Sequence, residues 1–234
     1  LILTLTGQLT MFKYHILIVD DGSPININPA WYSGYCGVSL WQFNKNRGPS
    51  AARNEGLRCA IVNDIPYVAF LDSDCCALNP RWLQNLYEKI IEDHSVTIVG
   101  GLTRAIDSEW YFIQKIIGKY HDYYGTLNGR WSDYTGFMNM FFTPTCNMMV
   151  RICNISTMFN EQYPSAAFED VEFCLHYKDQ ISIAYDSILY HNYKSNIYNQ
   201  MYRYGQSEHF LHNKFPKFPR YMYETTYETN TNNN

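Results

Sequence analysis

Short apolar runs recur along the chain, each cut off by acidic or turn-forming residues. The sharpest is YVAFLDSD at Tyr67–Asp74, an aromatic and branched run that ends in two acids one residue apart. A run of that length closed by turn formers reads as a buried parallel strand, whose C-terminal end is where open α/β sheets bind ligands. YHILIV at Tyr14–Val19 behaves alike and opens into Asp20, Asp21, Gly22 and Ser23. Ser39–Phe43, Val96–Val99, Asn147–Val150, Ile181–Tyr185 and Ile188–His191 read as further strands. Helical patterns lie between them. Gly48 and Pro49 open one, with Leu57, Ala60 and Ile61 on one face. Asn79 as N-cap and Pro80 as first helical residue open a second, with Leu83, Leu86 and Ile90 in one stripe. A third is expected from about Ile197 to Asn213. This alternation predicts an α/β fold with a mostly parallel central sheet flanked by helices.

Three stretches depart from the alternation. Leu1–Thr6 stands too near the Tyr14 run to be its parallel neighbour, because such a connection needs a dozen or more residues. The segment is either an antiparallel or irregular piece or the end of a crossover helix whose strand lies upstream; the second is the expectation. From about Leu102 to Thr145 the register is lost among aromatic, glycine and polar residues, which suggests a loop-rich region on the acceptor side. Residues 1–224 are expected to form a single domain, and residues 225–234, ending NTNNN, a disordered polar tail.

Two acid groups carry candidate chemistry. Asp72 and Asp74 flank Ser73, and alternation along an extended chain points both carboxylates the same way, which suits a hard divalent cation and phosphate oxygens. The same pair also suits a solvated turn at a strand end. Glu169 and Asp170 precede Val171, Cys174 and Leu175 at helical spacing, so they sit at a helix start, where acids are also ordinary partners of the helix dipole.

Composition narrows the classes. A formal charge of −4 without a basic stripe argues against a nucleic-acid partner. Seven cysteines without a CxxC pair, two of them adjacent at Cys75 and Cys76, argue against a zinc knot or a disulfide framework and for a reducing, cytoplasmic setting. No apolar run approaches the roughly 20 residues that span a bilayer, and Leu1–Leu5 is too short for a signal core. The Asn154, Ile155, Ser156 glycosylation pattern is too short to carry weight.

In order and spacing, six pieces together resemble the family 2 glycosyltransferases of GT-A fold. They are ILIVDDGS at Ile16–Ser23, NRGPSAARNEGL at Asn46–Leu57, VAFLDSD at Val68–Asp74, CNMMVR at Cys146–Arg151, FEDVEFCLHY at Phe168–Tyr177 and YRYG at Tyr202–Gly205. The resemblance implies transfer of a sugar, with inversion, from a nucleotide diphosphate donor such as a UDP- or GDP-sugar to a hydroxyl of a glycan, lipid-linked or protein acceptor. Peripheral association with a membrane is compatible with it. By the same resemblance Asp20, with Asp21 beside it, lies in the nucleobase pocket; the plain alternative is a turn cap. Arg53 supports the nucleotide, and Asp72 meets the ribose or the hydration shell of a metal. Asp74 is implied as the direct ligand of Mn²⁺ or Mg²⁺, with His191 near the metal or diphosphate. Asp170 is implied as general base, since an alcohol attacks well only when its proton is accepted as the new bond forms, and Glu169 as its supporting neighbour. Arg203 is within the YRYG piece, where a solvated helix face competes with a phosphate contact.

The family's opening strand, a central part of its sheet, has no counterpart before Leu1. The expectation is a sheet with two unpaired edges and a slot in its middle, and weak or absent activity for these 234 residues alone. Two other classes compete. A haloacid dehalogenase type phosphohydrolase also places an Asp-any-Asp pair after an apolar strand, but earlier in its chain. A degenerate, non-catalytic module that binds nucleotide sugars or glycans fits the missing strand better than it fits the intact acids.

Overall fold

The computed structural model describes residues 1–105, 143–192 and 197–216. Most of the loop-rich stretch expected near the acceptor, and the polar tail at 225–234, lie outside the described residues. Among the described residues, seven strands, β1 (Ile16–Asp20), β2 (Val38–Gln42), β3 (Tyr67–Phe70), β4 (Cys75–Cys76), β5 (Ile98–Ala105), β6 (Met148–Arg151) and β7 (Ile181–His191), join five α-helices, α1 (Ile2–Thr6), α2 (Pro49–Val62), α3 (Trp82–Ile91), α4 (Glu169–Leu175) and α5 (Ile197–Lys214).

The described strands form two sheets. β1 and β2 pair in parallel, and the other five take the order β3-β6-β5-β7-β4. β3, β5 and β7 run in one sense, while β6 is inserted antiparallel between β3 and β5, and the short β4 returns antiparallel along β7. The two runs expected around residues 181 and 188 are one strand. Its pairing with β5 jumps from Gly101 opposite Ala184 to Leu102 opposite Ile188, so residues 185–187 bulge. Gly101 makes this jump possible: a Cβ there would lie 2.3 Å from the Ser187 carbonyl oxygen.

Side-chain alternation along the central strands separates two cores. Ile98, Met148 and Val150 face a cluster built with Leu57 of α2, Phe173 and Cys174 of α4 and Leu211 of α5. Val99 and Met149 face the opposite cluster, with Trp82, Leu83, Leu86 and Ile90 of α3. The result is a sheet with helices on both faces. α3 begins two residues later than expected. Asn79 accepts the Arg81 amide through its side chain and the Trp82 amide through its carbonyl, so it closes a preliminary turn instead of capping the helix.

Ile2–Thr6 is helical, with Leu1 at its N-cap. α2 packs on both β1 and β3, yet these strands belong to different sheets, each at a sheet edge.

Arg151 is a structural member of the CNMMVR piece. It is 5% exposed and donates to the carbonyls of Val96, Ile90 and Asp93 and to the Tyr67 hydroxyl. The guanidinium thus closes the C-terminal end of α3, where carbonyls lack intrahelical partners. Arg151→Met keeps the stem but strands these acceptors, and is expected to cost about 3 kcal/mol. For a chain of this size that lowers Tm by roughly 6 to 12 °C in a thermal melt.

Candidate active site

The acids collect where β3 and β7 end and β6 begins. His191 closes β7 and pairs in register with Cys75 of β4, so the turn at residues 71–74 is held against it. Asn192 reinforces this by donating its amide to the Asp74 carbonyl. Asp74 Oδ1 lies 3.4 Å from His191 Nε2. These two side chains and Cys75 Sγ offer ligand atoms within 4.8 Å of one another. Cys75 is 1% exposed and belongs to the core around α3, and its thiol is pushed well up by a hydrogen bond to Cys146 and by burial. A protonated core thiol is a poor ligand, which leaves a carboxylate oxygen and an imidazole nitrogen. That donor pair fits a divalent cation of the Mn²⁺ kind.

Arg53 of α2 joins this corner to the second acid group. Its Nη2 lies 3.3 Å from Asp72 Oδ1 and its Nη1 2.5 Å from Glu169 Oε1. Burial works against the guanidinium charge, but the carboxylates of Asp72, Glu169 and Asp170 outweigh it and raise its pKa. Glu169 is 4% exposed, and its Oε2 has no hydrogen-bond partner among the described residues. Asp170 is half-buried. Its Oδ2 accepts the Thr145 amide at 3.4 Å, just before β6. Burial first, then the neighbouring Glu169, push the Asp170 carboxyl up to about 7, against the opposing pull of Arg53 and the backbone amides of Val171 and Thr145. A carboxyl that ionises near neutrality is suited to accepting a proton.

Asp20 and Asp21 stand apart from this group and hold loops. Asp20 accepts the amide and hydroxyl of Ser23 on one oxygen and the Gln42 amide group on the other. Burial raises its pKa, but these three hydrogen bonds prevail and the group ends lowered. Asp21 accepts the amides of Arg47 and Gly48 at 2.7 and 2.8 Å and so fixes the approach to α2. Gly22 between them and Ser23 adopts φ 72°, and a Cβ there would meet the Lys45 backbone at 2.4 Å. Arg203 is half-buried on α5, and its carbonyl accepts from Ser165.

Two supporting residues escape a reading of motifs. Asn54, 2% exposed, clasps the Phe159 backbone through both its amide nitrogen and its oxygen and also donates to Glu161. It anchors the segment that leads to Glu169. The available signal is a polar residue one turn before Leu57 on the buried face of α2. Asn147 accepts from Trp82 and donates to the Leu102 and Ser187 carbonyls, tying α3 to the bulge.

A sheet flanked by helices, with acids gathered at one strand edge, has recognisable relatives. The chain is 35% identical over 99 residues to the chondroitin synthase of Escherichia coli, a stretch that covers 41% of this chain and 14% of that enzyme. It is 32% identical over 100 residues to the hyaluronan synthase of Pasteurella multocida, covering 41% of this chain and 10% of that enzyme. The match therefore spans only a small part of the length of these relatives. Among solved structures, the mannosyltransferase PcManGT from Pyrobaculum calidifontis, in complex with GDP-Man and Mn²⁺, superposes with a TM-score of 0.58 at 12% identity, over 86% of this chain and 54% of that one. That likeness supports the GT-A type of fold. The model of glycosyl transferase family 2 matches residues 1–151, from α1 through β6, and the chain belongs to that family.

Proposed function

We propose that this protein transfers a sugar from a nucleotide diphosphate donor to an acceptor hydroxyl, with inversion, at the edge formed by Asp72, Asp74, His191, Glu169 and Asp170. The observation that carries the reading is Arg53, which contacts Asp72 and Glu169 together and so couples the cation corner to the acid pair of α4. Asp72 and Glu169 stand 97 positions apart in sequence, and acids that merely solvated separate turns would not converge on one guanidinium.

Asp74 and His191 are the residues that would hold the cation, with Asp72 oriented beside them by Arg53. When bound there, a divalent ion supplies Lewis-acid neutralisation of the charge that grows on the departing diphosphate. Asp170 takes the proton of the acceptor hydroxyl as its oxygen bonds to the anomeric carbon and the bond to the diphosphate breaks. Glu169 is held by Arg53 and keeps a negative neighbour beside Asp170, which raises the basicity of that carboxylate. Asp20, Asp21 and Gly22 shape the wall on which the nucleobase rests. Support for a nucleotide-sugar donor and Mn²⁺ also comes from the GDP-Man and Mn²⁺ complex of the similar mannosyltransferase.

The polymer-forming relatives make a glycan acceptor the first choice, with lipid-linked and protein acceptors as the others. A cytoplasmic setting and a peripheral membrane contact belong to the same proposal; among the described residues no helix is long and apolar enough to cross a membrane.

A panel of UDP- and GDP-sugars, GDP-mannose included, tests this by thermal shift with and without Mn²⁺, followed by assay of nucleoside diphosphate release. The expected result is stabilisation by one class of donor that depends on Mn²⁺ and is accompanied by release. Binding without release, unaffected by Asp170→Asn, would instead support a non-catalytic sugar-binding module, and no binding by any donor contradicts both.

A further inference from the structure

Two local rules of helix formation are broken at one residue, immediately before the acid pair. Phe168 occupies the N-cap position of α4, where Ser, Thr, Asp or Asn ordinarily supplies a side-chain acceptor, and it provides none. Its backbone is left-handed, with φ 65° and ψ −3°. Among the described residues, Asp64 is the other non-glycine residue with positive φ, and aspartate tolerates that region far better than a bulky aromatic. A Cβ-bearing residue persists there only when its surroundings over-determine the turn.

The surroundings are on α5, and they grip both sides of the turn. Before it, the Ser165 hydroxyl bonds to the Arg203 carbonyl at 3.0 Å and to the Ser207 hydroxyl at 2.8 Å, and Ser207 is fully buried. At it, the half-buried Phe168 ring meets the Tyr204 ring edge-on, with centroids 6.0 Å apart. After it, Lys214 forms an ion pair with Glu172, whose amide donates to the Phe168 carbonyl. The turn delivers Glu169 onto Arg53 and Asp170 onto the Thr145 amide.

We infer that Phe168 is a positioning residue for the acid pair, and that Tyr204 of α5 acts through it by clamping its ring so that the left-handed turn is kept. Local rules broken together beside a reacting group, with a compensating contact from a distant helix, mark a conformation held for function. The inference rests on the reading of Asp170 as general base. A side chain that only filled space would not require positive φ. A glycine would adopt the turn unaided, so the clamp matters because residue 168 carries a ring.

The comparison of glycine with alanine at this position makes the test sharp. The full chain, loaded with Mn²⁺ and the panel donor that binds, is assayed for kcat of nucleoside diphosphate release and for donor Kd. Phe168→Ala retains the strain and loses the clamp, and kcat is expected to fall on the order of 10²-fold, as for misplaced catalytic groups, with Kd little changed. Phe168→Gly, which removes more of the side chain yet adopts the turn freely, is expected to recover most of that loss. Tyr204→Ala should lower kcat when residue 168 is Phe and add little in the Phe168→Gly background. Should Phe168→Ala fail to fold, Phe168→Asn and Phe168→Ser repeat the comparison, Asn behaving like Gly. A kcat for Phe168→Gly equal to or below that of Phe168→Ala, or an equal Tyr204→Ala loss in both backgrounds, overturns the clamp. Parent-like release by Asp170→Asn overturns instead the reading on which it rests.

Discussion

Asp170→Asn is expected to reduce sugar transfer by about 10²- to 10⁴-fold, the usual worth of a positioned general base, while leaving Mn²⁺-dependent donor binding intact. The side chain keeps its shape, so the loss isolates proton acceptance. The parent's kcat should rise roughly tenfold per pH unit below neutrality and level off above about 7, the value to which burial and Glu169 push the Asp170 carboxyl. The groups that face it from the packed elements are Glu169 beside it, Arg53 of α2, the Thr145 and Val171 amides, Tyr163 and Cys174. The stability sign follows from the same shift. A folded-state value above the ordinary 3.8 means that the native chain binds the proton more tightly than the unfolded one. Asp170 therefore contributes stability that is complete below 3.8 and is lost as pH rises through about 7. The Asn variant cannot ionise, so at pH 8 it should melt at a higher temperature than the parent, and the gap should close in acid. An inactive variant that is more stable separates a catalytic role from a folding defect. Equal pH profiles for parent and variant stability would contradict the environment assigned to Asp170.

Asp74→Ala is expected to act at the other end of the site and abolish the Mn²⁺-dependent thermal shift. A donor at a hundredfold excess over its Kd adds about 2.7 kcal/mol to the folded state, which for this chain length raises Tm by roughly 5 to 11 °C. The variant should show none of this increment, yet fold as the parent does without ligand. The Asp74 side chain is half-buried and lies against His191, and the bond that fixes the turn, from the Asn192 amide, reaches its backbone carbonyl instead. His191→Ala should weaken the shift less, because a carboxylate is the stronger partner of a hard cation. Loss of the shift in Asp170→Asn to the same degree as in Asp74→Ala would contradict the division of labour between the two ends.

What the sequence made legible was local in origin. Runs such as YVAFLDSD announce both a buried strand and its ligand-facing end, because the apolar stretch and the acids that stop it lie within eight residues. The acid pair at the start of α4 was legible for the same reason, and chain geometry alone excluded Leu1–Thr6 as a parallel neighbour of β1. What stayed hidden depends on long-range pairing. Nothing within residues 148–151 reveals that β6 runs against β3 and β5, since a strand buried on both faces has the same pattern in either direction. Ile181–His191 looked like two strands because the bulge at 185–187 interrupts its apolar pattern, and the compensating Gly101 sits far away on β5.

The site divides along the same line. Asp74 and His191 meet across 117 positions, as the family resemblance implies, although no local pattern links them. The contact of Arg53 with Glu169 spans 116 positions and could not be read from the ARNEG piece, where the arginine is one polar residue on a helix. Asp20 and Asp21 were legible as loop-forming acids, and their hydrogen bonds to Ser23, Gln42, Arg47 and Gly48 are those of turn caps. Their part in holding a nucleobase remains within the proposed function. Phe168 carried no signal at all, because an aromatic residue in the sequence does not disclose the sign of its φ.

The gathering of the two acid groups around one diphosphate is tested most directly by a crystal structure of the chain grown with Mn²⁺ and the nucleoside diphosphate of the donor that binds. The account predicts Mn²⁺ between Asp74 and His191, the diphosphate on it, and the Asp170 carboxylate opening onto the same cleft. Mn²⁺ held elsewhere, or Asp170 turned toward a surface that the diphosphate does not share, would contradict it.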